Sequence, residues 1–113
     1  MSFLGIEYLS HIIDEINYLK SYTKGLTRDK FLNDETLQRA FVRSIEIISE
    51  AAKKLPDELK QNYPNIEWKA IAGLRDRLIH DYFGIDYEIV WDVVINRIPQ
   101  LHIEIQRIIN KEK

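Results

Sequence analysis

The chain contains no cysteine, which excludes disulfides and thiolate metal sites, and nothing in it points to an oxidising compartment. It has no run of about 18 apolar residues, so no membrane-spanning helix is expected. The stretch Met1 to Leu9 lacks a basic segment followed by an apolar core and does not read as a signal peptide, so a cytoplasmic location is the default expectation. A basic excess is also missing. Sixteen Lys and Arg against eighteen Asp and Glu give a net charge of −2, which argues against a general nucleic-acid coat. An enzyme that meets RNA at one site remains allowed. Glycine and proline are scarce, at four and three, and no internal repeat or low-complexity stretch appears.

What is present is ordinary globular material, 45% apolar and 30% charged. Within 113 residues two independent cores would each be too small to hold, so residues 1–113 are expected to form one domain. Four apolar stripes return every three or four positions. The first, Ile6, Leu9, Ile13, Ile16 and Leu19, predicts a helix over 2–23, stopped by Gly25. The second, Leu37, Phe41, Ile45, Ile48, Ala52 and Leu55, predicts a helix capped by Asn33 or Asp34 and ended by Pro56. Short helical turns are expected over 28–31 and from Pro56 to Leu59. A third long helix is expected over 67–80, and a fourth, capped by Asp86, carries Val90, Val94, Ile98, Leu101, Ile105 and Ile108. Pro99 lies inside this last stripe and should kink it. No stretch alternates as a strand does. The fold class read from these patterns is all-α, an antiparallel up-and-down bundle of four to five helices, the last kinked at Pro99.

Chemistry concentrates between Arg75 and Tyr82. Asp76 and His80 are four apart, as are Arg77 and Asp81, and ordinary surface ion pairing explains that spacing without any function. A second reading is chemical. Cleaving RNA through its ribose 2′-hydroxyl needs a proton acceptor, a proton donor and a cation beside the phosphorane. Histidine titrates near neutral pH and serves in either proton role. Arginine stays charged and presents a planar fork to phosphate oxygens. No metal is required for this chemistry, and the three histidines are scattered.

On an ideal helix, Arg75 and His80 point about 140° apart. The helix loosens at His80, or the arginine wraps around, or a second subunit completes the site at a two-fold interface. A helix C-terminus and Asp76 one turn earlier both favour the protonated imidazole.

The run from Gly73 to Asp86, Gly-Leu-Arg-Asp-Arg-Leu-Ile-His-Asp-Tyr-Phe-Gly-Ile-Asp, followed by Val90 and Trp91, resembles the signature of the HepT-like toxins of the HEPN superfamily. These ribonucleases are encoded beside MntA-type minimal nucleotidyltransferase antitoxins. The Arg-x4-His-x-Tyr pattern falls on Arg75, His80 and Tyr82. Residues Arg43 to Ala52, Arg-Ser-Ile-Glu-Ile-Ile-Ser-Glu-Ala-Ala, resemble the second helix of that family, so the likeness covers nearly the whole chain. It implies a homodimer whose two Arg-x4-His segments face one cleft, and metal-independent endonucleolytic cleavage of RNA, with tRNA a candidate target. Arg75 and His80 would be catalytic, with Asp76 in a supporting place where the family often has asparagine. Tyr82 would be the site of silencing adenylylation by the nucleotidyltransferase. No cofactor is implied. The rival function is a non-catalytic dimeric module that binds the nucleotidyltransferase as its accessory subunit.

Arg43 and Glu50, seven apart on the second helix, could line the cleft, or pair with solvent or with another subunit. Trp68 and Trp91 read as core or interface aromatics, and His11 and His102 as helix-surface residues.

Overall fold

Each of the four stripes folds as a helical rod. A computed structural model describes residues 3–79 and 84–112. The first rod, α1 (Phe3–Thr23), ends where Gly25 takes φ +71°, a left-handed conformation that glycine adopts without strain. Its most buried residues are Leu9, Ile12, Ile16 and Leu19. Leu9, Ile16 and Leu19 face inward as expected, while Ile12 takes the buried place expected of Ile13, which is only partly buried. The short α2 (Arg28–Leu32) is capped by Thr27, whose hydroxyl accepts from Lys30 N at 3.2 Å.

The second rod, α3 (Glu35–Lys54), is capped by Asp34, whose carboxylate accepts from Leu37 N at 3.0 Å. It stops short of Pro56, and Pro56 in turn precedes α4 (Asp57–Asn62). Four of its apolar residues, Phe41, Ile45, Ile48 and Ala52, are fully buried. Burial of this kind contributes about 1.5–3 kcal/mol per large side chain.

The third rod differs from expectation. Instead of one helix to residue 80 there are two short pieces, α5 (Trp68–Ala72) and α6 (Leu74–Arg77), meeting at Gly73. The helical path then ends: Leu78 N and Ile79 N bond back only three residues, to the carbonyls of Arg75 and Asp76. Ile79 forms an isolated antiparallel bridge with Ile85, and Asp86 N donates to Leu78 O at 2.8 Å. Gly84, at φ +76°, turns the chain into that bridge.

The fourth rod is α7 (Tyr87–Asp92), a π-helical turn (Val93–Arg97) and α8 (Ile98–Glu112), running on without a break. Asp86 caps it, accepting from Glu88 N and Ile89 N. The effect of Pro99 is visible as the widened turn before it, where Ile98 N reaches back five residues to Val93 O.

Side-chain pairs fix the directions of the rods. Ser44 donates to Glu15, while Tyr8 and His11 lie beside Ala51 and Lys54. Residue numbers therefore rise along α1 as they fall along α3, the antiparallel order. Ser49 bonds to Ile71 and Arg75, and Glu46 to Arg75, so α5–α6 also runs antiparallel to α3. Phe31 stacks on Phe41 with ring centres 5.1 Å apart and tilts against the partly buried Trp91 at 5.5 Å. The class is all-α. Among the described residues no helix is long and apolar enough to cross a membrane.

Candidate functional site

The arginine singled out by the sequence, Arg75, sits on α6 where that helix packs against α3. Two side chains of α3, three residues apart, hold it. Ser49 is 1% exposed; its hydroxyl accepts from Arg75 N at 3.1 Å and donates to Ile71 O at 3.2 Å. In an unbroken helix Arg75 N would donate to Ile71 O directly. The Ser49 hydroxyl therefore stands inside the ladder, satisfying both groups and separating α5 from α6. Gly73 at the junction accommodates the fault: a Cβ there would meet Lys69 O at 3.3 Å.

The second contact is at the guanidinium. Arg75 Nε donates to Glu46 Oε2 at 3.0 Å. Both side chains reach solvent, the arginine at 51% and the glutamate at 30% exposure. Among the described residues nothing engages the two terminal nitrogens of Arg75.

Arg77 is committed elsewhere, its guanidinium pairing with Asp92 at 2.9 Å, across to the fourth rod. Asp76 is exposed and makes no side-chain bond among the described residues. His80 and Tyr82, with Asp81 and Phe83, lie outside the described residues. Because α6 ends at Arg77, the helix expected over 67–80 stops short; the angle between Arg75 and His80, and a helix terminus at His80, fall outside the described residues.

Arg43 and Glu50 flank Glu46 on the exposed side of α3 and open into a groove against α1. Tyr8, His11, Ile47 and Lys54 share this groove, of about 270 Å³. Neither Arg43 nor Glu50 is bonded to Arg75. His11 touches Tyr8 edge-on, ring centres 6.4 Å apart. His102 is not a free surface residue: Nδ1 accepts from Lys20 Nζ at 2.8 Å. Burial first, and Lys20 second, lower its pKa from the ordinary value. Trp68 is partly buried against the core and donates to Tyr63 O at 3.0 Å.

Sequence reasoning did not single out Glu46 and Ser49. Ser49 is one of three polar residues, with Gln38 and Ser44, on the buried side of α3, and a serine beside Ile48 on that stripe is a signal for it. Glu46 carries none, because its partner is set by how α3 and α6 are aligned.

A helical bundle presenting an arginine from a broken helix near the Arg-x4-His-x-Tyr run matches one family over most of the chain. The family model described as Ribonuclease HepT-like covers residues 12–108, and the chain belongs to that family. Among its relatives is a protein of Caldanaerobacter subterraneus provisionally named RNase TTE0752, 46% identical over 94% of this chain and 95% of the relative. Another, provisionally named RNase MJ0127, comes from Methanocaldococcus jannaschii and is 46% identical over 90% of this chain and 84% of the relative. A third, from Thermococcus cleftensis, is provisionally named ribonuclease HepT and is 39% identical over 84% of this chain and 86% of the relative. No solved structure matches the chain.

Proposed function

We propose that this chain is a single-domain, metal-independent endoribonuclease, the toxin of a toxin–antitoxin pair, acting as a homodimer with Arg75 and His80 at its catalytic centre. The observation that carries the reading is the guanidinium of Arg75, tied down at Nε by Glu46 and unengaged at its terminal nitrogens by any described residue. A fork held in this way suits two oxygens of one phosphate. It stabilises the charge that grows on the phosphorane as the 2′-oxygen attacks phosphorus and the bond to the 5′-oxygen breaks. The imidazole of His80 handles the protons: one leaves the attacking 2′-hydroxyl and one reaches the departing 5′-oxygen. A two-fold dimer supplies two such imidazoles to one cleft, so acceptor and donor need not be the same ring.

Asp76 supports the site as a polar neighbour of Arg75, and Arg43 and Glu50 line the approach along α3. Tyr82 is the control point. Adenylylation by an MntA-type nucleotidyltransferase places bulk and negative charge beside the phosphate site, and RNA is excluded.

The test is expression of the chain alone beside Arg75→Ala and His80→Ala. The expected outcome is growth arrest and RNA cleavage by the wild type, with cleavage lowered by at least about 10²-fold in each variant. A wild type that leaves RNA intact would leave only the non-catalytic accessory module.

A further inference from the structure

The pair made by Glu46 differs in kind from the other charged contacts of α3. Glu35 and Arg39 pair along the same helix, four residues apart, at 74% and 76% exposure; such a pair is a solvated decoration. Glu46 instead reaches across to another element, 29 residues away, and is much less exposed, at 30%. Its target is already fixed at the backbone by Ser49, from the next turn of α3. One helix therefore holds Arg75 at two points, the amide and the guanidinium. An arginine held at its amide alone would still turn about its side-chain bonds. Held at Nε as well, its planar head is confined, and the outer edge between its two terminal nitrogens is left open.

Resting on the ribonuclease reading above, we infer that Glu46 is the positioning residue for Arg75, aligning the guanidinium fork with the scissile phosphate without touching substrate itself. The role needs a hydrogen-bond acceptor at that point, not a negative charge. A carboxylate beside a phosphate site repels substrate, and its presence there is explained by what it does to the arginine. Glutamine keeps the acceptor and drops the charge; alanine drops both.

The measurement is steady-state cleavage of an RNA that the wild type cuts, with Glu46→Gln, Glu46→Ala, Arg75→Ala and the double variant Glu46→Ala/Arg75→Ala, each checked for an unchanged helical spectrum. Misplacing a catalytic group lowers turnover by about 10²-fold, so Glu46→Ala is expected to lose that much in kcat with little change in KM. Glu46→Gln keeps kcat within a few-fold and lowers KM. In the Arg75→Ala background, Glu46→Ala adds no further loss. An NMR signal from the Arg75 Nε–H should exchange slowly in the wild type and in Glu46→Gln, and rapidly in Glu46→Ala.

Glutamine as inactive as alanine overturns the positioning role, because the carboxylate is then needed for its charge or its proton. Losses that multiply in the double variant overturn it too, because Glu46 then acts independently of Arg75. A wild type that cuts RNA while Glu46→Ala cuts equally well removes this inference and leaves the ribonuclease reading standing. A wild type that cuts no RNA removes both.

Discussion

Two of the rods contain a fault in their hydrogen-bond ladder, and the two faults are resolved in opposite ways. In α5–α6 a foreign hydroxyl, that of Ser49, enters the ladder between Ile71 O and Arg75 N. The helix divides there, and it ends at Arg77. In the α7–α8 rod Pro99 supplies no N–H, and the chain widens into the π-helical turn Val93–Arg97 and continues to Glu112. The first fault is imposed from outside the helix by a buried partner and carries an arginine with a free fork. The second arises within the helix and is absorbed by one wide turn, whose Arg97 pairs with Glu104 further along the same rod. A ladder fault tied to a side chain of another element fixes a position in space; one caused by proline only has to be accommodated.

Removing the inserted hydroxyl breaks this contrast most severely. Ser49→Ala leaves Arg75 N and Ile71 O to rejoin or to remain unpaired in a buried place. The expected stability loss is about 1–3 kcal/mol, read by urea unfolding. Rejoining would also move the Arg75 backbone, and RNA cleavage is expected to fall by about 10²-fold. A Ser49→Ala chain as active as the wild type would show that the fault has no bearing on the arginine.

Pro99→Ala probes the other rod. It restores a donor to the ladder and should raise stability by about 2 kcal/mol, the cost of an interior proline less the unfolded-state entropy it removes. Cleavage should not change. If cleavage fell, the two faults would not be separable.

The smallest effect concerns His102 on α8, which titrates below the ordinary histidine value because of burial and then Lys20. The folded state binds this proton more weakly than the unfolded chain does. The stability gained is therefore present above about pH 6.5 and is lost as pH falls through the lowered folded-state pKa. An NMR titration of His102 should give a midpoint below that of an unfolded histidine, and Lys20→Ala should move it upward.

The contrast also explains what could be read from the chain. Stripes and caps are local, so the sequence names Asp86 as a cap, narrows the other to Asn33 or Asp34, and yields the all-α class from periodicity. On α1 the stripe holds at Leu9, Ile16 and Leu19, but Ile12 and Ile13 both fit a 3.6-residue repeat and only packing chooses Ile12. The division of the third rod is caused by Ser49, 26 residues before Arg75, and periodicity carries no trace of a side chain arriving from elsewhere. Arg75 was legible from its motif, and the motif run places the chain in the HepT-like family. Its partner Glu46 was not, since a glutamate on an exposed helix face looks alike whether it meets water or an arginine.

The Ile79–Ile85 bridge and the bond from Asp86 N to Leu78 O fasten the end of the third rod to the residue that caps the fourth. Asp86 therefore serves two masters, its carboxylate starting one rod and its amide holding the tail of the other. Whatever slackens that clasp is felt in both rods at once, and one of them carries Arg75.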